Sequence, residues 1–146
     1  MLTERFLEEQ RVARLATVDA QGRPHIVPIV FVYADEVLYT PIDLKPKVTQ
    51  PERLQRVRNI RSHPDVQVLV DHYDEDWRQL GYVQLRGTAE IIQSGSEYSQ
   101  AMQLLEAKYQ QYRELPLEGR PIIKVSVERM VSWAAGDSPT TETRNG

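Results

Sequence analysis

The chain has 146 residues, of which 40% are hydrophobic and 27% are charged, and its formal net charge is −3. This length allows one well-buried core but not two ordinary domains, and no apolar run approaches the roughly 20 residues that a membrane-spanning helix needs. Because the chain contains no cysteine, the composition excludes disulfide bonds, thiolate zinc sites, cysteine-ligated iron–sulfur clusters and thiol nucleophiles.

The first residues predict a short helix and no export signal. Phe6, Leu7 and Gln10 fall at helical spacing behind Thr3, a residue type that caps helices. The same segment carries charges of both signs and lacks the basic and apolar stretches of a secretory signal. We therefore expect a cytoplasmic protein without a membrane partner.

Three short strands are predicted next, at residues 12–18, 25–33 and 37–41. Their β-branched and aromatic residues are separated by turn-forming segments that are too short for crossover helices, so the strands must be antiparallel. The second run is apolar on both faces. One face fills the core, and the other needs a cover, either a second copy of the chain or a helix.

The rest of the chain predicts two more helices and three more strands. Leu54, Val57 and Ile60 form an apolar stripe behind Pro51, and the pair Ser94 and Glu97 has the spacing of a capping box at the start of the second helix. The remaining strands are predicted at residues 66–73, 82–92 and 122–133, with a bulge or corner at Gly87 in residues 82–92.

These elements predict one mainly β domain over residues 1–136, a six-stranded antiparallel β-barrel with helices. Residues 137–146 are polar and contain no core-forming side chain, so a disordered tail is expected there.

Positive charge is concentrated after the third predicted strand. Six cations accompany one acid, Glu52, in an otherwise acidic chain: Lys45, Lys47, Arg53, Arg56, Arg58 and Arg61. The two lysines, the Thr49 hydroxyl and the helix N-terminus near Arg53 are expected to converge on one phosphate. For Arg58 and Arg61 we favour a solvated helix face that suits the helix dipole.

Other motifs give weaker indications. The sequence lacks the glycine-rich dinucleotide motif, the P-loop and the nucleophile elbow. The acids near His72 are more simply explained as a solvated loop than as metal ligands. Trp77 and Trp133 are expected either to stack on a ring or to pack in the core or an interface.

The segments RVARLATVDAQGRPHIVPIVF, LYTPIDLKPK and RNIRSHPDVQVLVDHY resemble the pyridoxamine 5′-phosphate oxidase-like superfamily of FMN- and F-420-binding split β-barrels. This resemblance extends over residues 6–135. Within the superfamily, LVDHYDEDWRQL is similar to a subgroup of coenzyme F-420-dependent oxidoreductases.

The resemblance implies a site at the interface of a homodimer. The cofactor ring would lie against the second and third strands, where its neighbours would be Val27, Pro28, Ile29, Val30, Tyr39, Thr40, Pro41 and Ile42. Lys47, with Lys45 beside it, would bind the phosphate. The other subunit would close the site with residues near Trp77 and Trp133.

The implied activity is hydride transfer between a flavin or deazaflavin ring and a small organic substrate, with no catalytic side chain required. F-420 is the first choice of cofactor, because a long basic stripe suits its negatively charged tail, and FMN is the second. The alternatives are an FMN-binding oxidoreductase or a non-enzymatic flavin- or haem-binding module of this fold. Vitamin B6 oxidation is not expected, because the chain lacks a recognisable substrate-phosphate segment, and the acidic charge argues against a nucleic-acid partner.

Overall fold

The computed structural model describes residues 2–42, 50–117, 119–136 and 140–143. The strands are β1 (Ala13–Val18), β2 (Pro24–Ile29), β3 (Val32–Ala34), β4 (Val37–Pro41), β5 (Asp65–His72), β6 (Gly81–Ile92), β7 (Ile122–Ala134) and β8 (Thr140–Thr143). The helices are α1 (Leu2–Glu9), α2 (Gln55–Ser62), α3 (Ser96–Lys108) and α4 (Gln111–Glu114), and 3-10 turns lie at Pro51–Arg53 and Trp77–Gln79. No helix in these ranges has the length and apolar character needed to cross a bilayer.

The strands form one antiparallel sheet with the order β2-β1-β5-β6-β7-β4-β3, and β8 pairs with β7. The two ends of this path, β2 and β3, are joined in the chain by only Val30 and Phe31. The chain itself therefore connects the two ends of the sheet. The predicted mainly β fold with antiparallel strands is confirmed as a split barrel.

The number of strands differs from the predicted six at two places. The predicted strand over residues 25–33 is divided, because β2 pairs with β1 whereas β3 pairs with β4. Residues 140–143, predicted to be part of a disordered tail, form β8 against residues 129–132 of β7. Three of these four residues are threonines, which favour strands, and they pair along β7 beyond the part that β4 covers.

The predicted irregularity at Gly87 is confirmed. The register between β6 and β7 shifts between Arg86 and Gly87. A Cβ atom added at Gly87 would lie 2.0 Å from the carbonyl oxygen of Ser126, so this close approach of two backbones requires glycine.

Two apolar clusters pack against the sheet, one on each of its faces. The first fills the barrel with fully buried residues such as Phe31, Leu38 and Leu85, and α2 adds Val57 and Ile60 to it. The second lies between the sheet and α3 and is formed mainly by Val32, Tyr39, Ile122, Met102 and Leu105. The junction between β2 and β3 therefore contacts both clusters.

The ends of two predicted helices differ from expectation. Leu54 has an extended backbone, so Pro51–Arg53 is a separate 3-10 turn and α2 begins at Gln55. The predicted capping box is wrong: α3 has Gly95 at its N-cap and no side-chain cap. The Glu97 carboxylate accepts hydrogen bonds from Tyr39 and Lys124 instead.

Candidate functional site

A cleft of about 220 Å³ opens beside the junction between β2 and β3. The residues that line it are Val12, Pro28, Ile29, Val30, Thr40, Pro41 and Arg56. Five of these seven were predicted from the sequence to contact a cofactor ring, and Val12 and Arg56 were not. The structure therefore brings the end of β2 and the end of β4 together in one site.

The register of the β3–β4 hairpin explains this arrangement. Val32 pairs with Tyr39, and the strands run antiparallel. Continuing the same register by two residues places Val30 across from Pro41. Thr40 and Pro41 are themselves held by pairing with Ile123 and Ile122 of β7.

The walls of the cleft are mostly apolar. Val12 and Val30 contribute aliphatic side chains, and Pro28 and Pro41 contribute rings without a backbone N–H. Ile29 lines the cleft and also belongs to the barrel core. Concave sites lined mainly by apolar side chains, with a small number of polar groups, are typical of small-molecule binding. The polar side chains among the lining residues are the buried Thr40 and the cation of Arg56.

Arg56 faces the cleft because buried hydrogen bonds fix α2 against β1. The Asn59 amide donates to the Thr17 hydroxyl at 2.9 Å, and both side chains are only 1% exposed. Gln55 donates in turn to the Asn59 oxygen at 2.7 Å. Val57 is fully buried in the same helix, so the rotation of α2 about its axis is determined by apolar and polar contacts together.

The other arginines of the basic cluster do not line the cleft. Arg53 is exposed in the 3-10 turn before α2, and Arg58 donates to the neighbouring Gln55 at 2.5 Å. Arg61 forms a 2.7 Å ion pair with Glu52, and this hydrogen bond lowers the pKa of the Glu52 carboxyl. The sequence signal for Arg56 was its place among the six cations of residues 45–61.

Lys45, Lys47 and Thr49 lie outside the described residues. Their contacts with a phosphate stay predictions.

Three of the residues predicted to contact the ring are placed elsewhere. Tyr39 packs in the cluster beneath α3, where its hydroxyl donates a 2.6 Å hydrogen bond to Glu97, and burial is the main cause that raises its pKa. Ile42 is buried in the barrel core, and Val27 packs against the same core. Because neighbouring side chains of a strand point to opposite faces, Tyr39 points away from the barrel core when Leu38 points into it.

The two tryptophans do not line the cleft of their own chain. Trp77 is 68% exposed in the turn before β6. Trp133 lies near the end of β7, whose beginning pairs with Thr40 and Pro41, and its ring stacks on Tyr82 at a centroid distance of 5.9 Å.

Acidic residues at the end of β5 and in the loop between β5 and β6 form ion pairs. Asp71 pairs with Arg14 at 2.8 Å, and Asp76 pairs with Arg78 at 2.9 Å. The hydrogen bond from Arg78 lowers the pKa of Asp76. Within the part of the chain that the structure describes, no group of three or more His, Asp or Glu residues is placed to hold a metal ion.

Comparison with solved structures confirms the fold. A conserved hypothetical protein of Mycobacterium tuberculosis superposes with a TM-score of 0.73 at 19% identity, covering 91% of this chain and 82% of that one. HutZ, the haem storage protein of Vibrio cholerae, gives 0.70 at 19% identity, covering 87% and 88%. An FAD-binding protein of Mesorhizobium loti gives 0.65 at 21% identity, covering 88% of each chain.

No protein with a curated description matches the chain. The family model described as pyridoxamine 5′-phosphate oxidase matches residues 3–134. This match includes every described strand from β1 to β7 and all the residues that line the cleft. The chain therefore belongs to the pyridoxamine 5′-phosphate oxidase family.

Proposed function

We propose that this protein binds a phosphorylated flavin-type cofactor in the cleft and uses it to transfer hydride to or from a small organic substrate. The observation that supports this proposal is the convergence of Pro28, Ile29, Val30, Thr40 and Pro41 on one apolar cleft with Arg56 in its lining. A flat ring matches the apolar walls, and the guanidinium matches an anionic group attached to the ring.

When bound, such a cofactor supplies the redox chemistry itself. The residues of the chain bind the ring, orient it and exclude water from one of its faces. Pro28, Val30 and Pro41 have side chains suited to that packing. Arg56 neutralises negative charge on the cofactor, and Lys45 and Lys47 are proposed to add to this effect.

We propose that the site is completed by a second copy of the chain. The cleft of about 220 Å³ is smaller than the roughly 300 to 1,000 Å³ of typical small-molecule sites. The edge strand β2 also leaves Ile26 64% exposed, and Val12 at the cleft is 42% exposed. A homodimer would cover this apolar surface and enlarge the cleft, with the exposed Trp77 of the partner as a candidate contact.

F-420 is the preferred cofactor and FMN the second. The preference rests on the LVDHYDEDWRQL segment and on three cations, Arg56 in the cleft lining and Lys45 and Lys47 as predicted phosphate ligands. An FMN-dependent enzyme would use the same apolar walls.

A non-enzymatic haem or flavin carrier is the competing function. Haem iron in proteins is held by His, Cys, Met or Tyr ligands. The residues that the structure shows lining the cleft include none of these types. This observation favours a flavin-type ring over haem.

Parallel titrations of the purified protein with F-420, FMN and haemin test the proposal. We expect saturable quenching of F-420 or FMN fluorescence, and we expect the bound cofactor to be reduced or oxidised in the presence of a suitable hydride donor or acceptor. Saturable haemin binding with a Soret shift, and no binding of either ring cofactor, would establish the haem carrier instead. Light scattering at micromolar concentration is expected to give the mass of a dimer.

A further inference from the structure

A second cleft, of about 360 Å³, lies at the C-terminal end of α3. Three of the residues that line it are cations, namely Arg11, Lys108 and Arg113, and the others are an alanine, a tyrosine and two glutamines. The described lining therefore contains no acidic side chain, although the whole chain has a net charge of −3. We call this cleft the α3 cleft.

Lys108 is half-buried in the α3 cleft with incomplete compensation of its charge. Its ammonium lies 3.9 Å from the centroid of the Phe31 ring and donates to the Leu7 carbonyl oxygen at 3.2 Å. In the described ranges Lys108 forms no ion pair within 4.0 Å. Burial and the charge of Arg11 lower its pKa to about 8, and the opposing effect of Glu8 is smaller.

The other two cations of the α3 cleft are the guanidinium groups of Arg11 and Arg113. Arg11 donates through one nitrogen to the Lys108 carbonyl oxygen at 2.5 Å, which fixes the group at the end of α3. An arginine has five N–H donors, so most of those of Arg11 remain for another acceptor. The Arg113 side chain is exposed and makes no hydrogen bond or ion pair with the residues described.

We propose that the α3 cleft binds the oxyanion group, carboxylate or phosphate, of a small organic ligand. Guanidinium and ammonium groups recognise these anions through charge-assisted hydrogen bonds. The volume of the α3 cleft lies within the range of small-molecule sites. An anion there would supply the compensating charge that Lys108 lacks.

The position of the α3 cleft relates it to the candidate cofactor cleft. Arg11 precedes Val12, and Phe31, which Lys108 contacts, follows Val30, and both Val12 and Val30 line the cofactor cleft. The two clefts are therefore adjacent at two points of the chain. Binding of the anion does not require a cofactor, so the proposal stands independently of the redox function.

The test is a titration of the full ¹⁵N-labelled chain, without cofactor, with inorganic phosphate and with acetate. Sodium chloride at matched ionic strength is the control. We expect saturable shifts of the backbone amides of Gln110 and Gln111 with at least one of the two oxyanions and not with chloride. Saturation by phosphate alone, by acetate alone or by both supports the proposal and identifies the preferred anion.

Charge-removing variants assign the binding to the α3 cleft. Lys108→Met keeps an unbranched side chain and is expected to weaken oxyanion binding about tenfold or more, because a charge-assisted hydrogen bond contributes about 1.5 to 3 kcal/mol. Arg113→Gln, at an exposed position, is expected to weaken it several-fold without affecting folding. Arg58→Gln, which removes a cation on α2, is the matched control and is expected to leave the affinity unchanged.

Two results would overturn the proposal. One is a set of shifts that rise linearly with concentration and equal those caused by chloride. The other is an affinity that is the same in wild-type protein and in Arg113→Gln and Lys108→Met. If Lys108→Met fails to fold, the oxyanion affinity of Arg113→Gln alone tests the proposal.

Discussion

The hydroxyl of Tyr109 bonds to both backbone polar groups of Phe31. It accepts a hydrogen bond from the Phe31 N–H at 3.0 Å, and its own hydrogen lies within reach of the carbonyl oxygens of Phe31 at 2.9 Å and Arg11 at 2.8 Å. Phe31 lies at the junction where β2 ends and β3 has not yet begun. A side chain just after α3 thus replaces the ladder hydrogen bonds that the sheet does not supply there, next to Val30 in the cofactor cleft.

Removal of this hydroxyl is expected to destabilise the fold. Tyr109→Phe leaves the part-buried N–H of Phe31 without a partner, which costs about 1 to 3 kcal/mol of unfolding free energy. Urea denaturation measures this loss. Tyr73→Phe is the control, because Tyr73 is 64% exposed and its hydroxyl lies 3.4 Å from Glu75. Equal unfolding midpoints for the two variants would contradict the role assigned to Tyr109.

The hydrogen bond between Asn59 and Thr17 is expected to matter for both stability and binding. Thr17→Val conserves the shape of the side chain but leaves the buried Asn59 amide without its acceptor, at a cost of about 1 to 3 kcal/mol. Because the same contact fixes α2, we also expect weaker cofactor binding through Arg56. Denaturation and a cofactor titration at a temperature where the variant is folded measure the two effects separately. Loss of stability without any loss of affinity would show that Arg56 does not depend on this contact.

The pH dependence of stability is expected to include a contribution from Glu97. Hydrogen bonds from Tyr39 and Lys124 lower its pKa from the ordinary value of 4.5. A lowered folded-state pKa means that the stabilisation is present above pH 4.5 and is lost as the pH falls through the lower folded value. The stability difference between wild type and Glu97→Gln should therefore be largest near neutral pH and shrink in acid. The difference is expected to be small, because the carboxylate is partly exposed. A difference that stays constant from pH 7 to pH 3 would exclude this contribution.

Replacement of Ser94 tests which residue caps the N-terminus of α3. Since Gly95 is the N-cap of α3 and no side chain caps it, Ser94→Ala is expected to change the unfolding free energy by less than about 0.5 kcal/mol. A serine that caps a helix would cost about 1 kcal/mol on replacement. Thermal or urea denaturation of the two proteins distinguishes these values.

Lys108 is expected to have a pKa well below the ordinary value of a lysine. Burial lowers its pKa to about 8 from 10.5. The unfolded chain then holds more protons than the folded one between these values, so folding stability should rise with pH over that interval relative to Lys108→Met. Side-chain NMR of the Lys108 methylene next to the ammonium gives the pKa directly. A value near 10.5 would show that the ammonium is solvated.

The sequence predicted the parts of the site that depend on neighbouring residues in the chain. The strand pattern located β4 correctly, whereas Pro28 to Val30 and Thr40 to Pro41 were indicated by the resemblance to the split-barrel superfamily. The Gly87 bulge was also predictable, because a glycine inside a long strand weakens the strand and typically marks a bulge or a close backbone approach.

The parts that were missed depend on contacts between distant residues. Arg56 faces the cleft because the Asn59 amide donates to the Thr17 hydroxyl, which holds α2 against β1. The division of β2 from β3 depends on Tyr109, which is far from Phe31 in sequence. No local pattern contains these pairings, so the sequence alone did not specify them.

The most direct test of the central claim is a fluorescence titration with F-420 and with FMN of wild-type protein, Arg56→Gln and Arg58→Gln. Arg56 lines the cofactor cleft, whereas Arg58 bonds to Gln55 on the exposed side of α2. The account predicts saturable binding to wild type. It also predicts affinity about tenfold or more lower in Arg56→Gln, and no change in Arg58→Gln. Absence of saturable binding of both cofactors to wild type, or equal affinities in all three proteins, would contradict it.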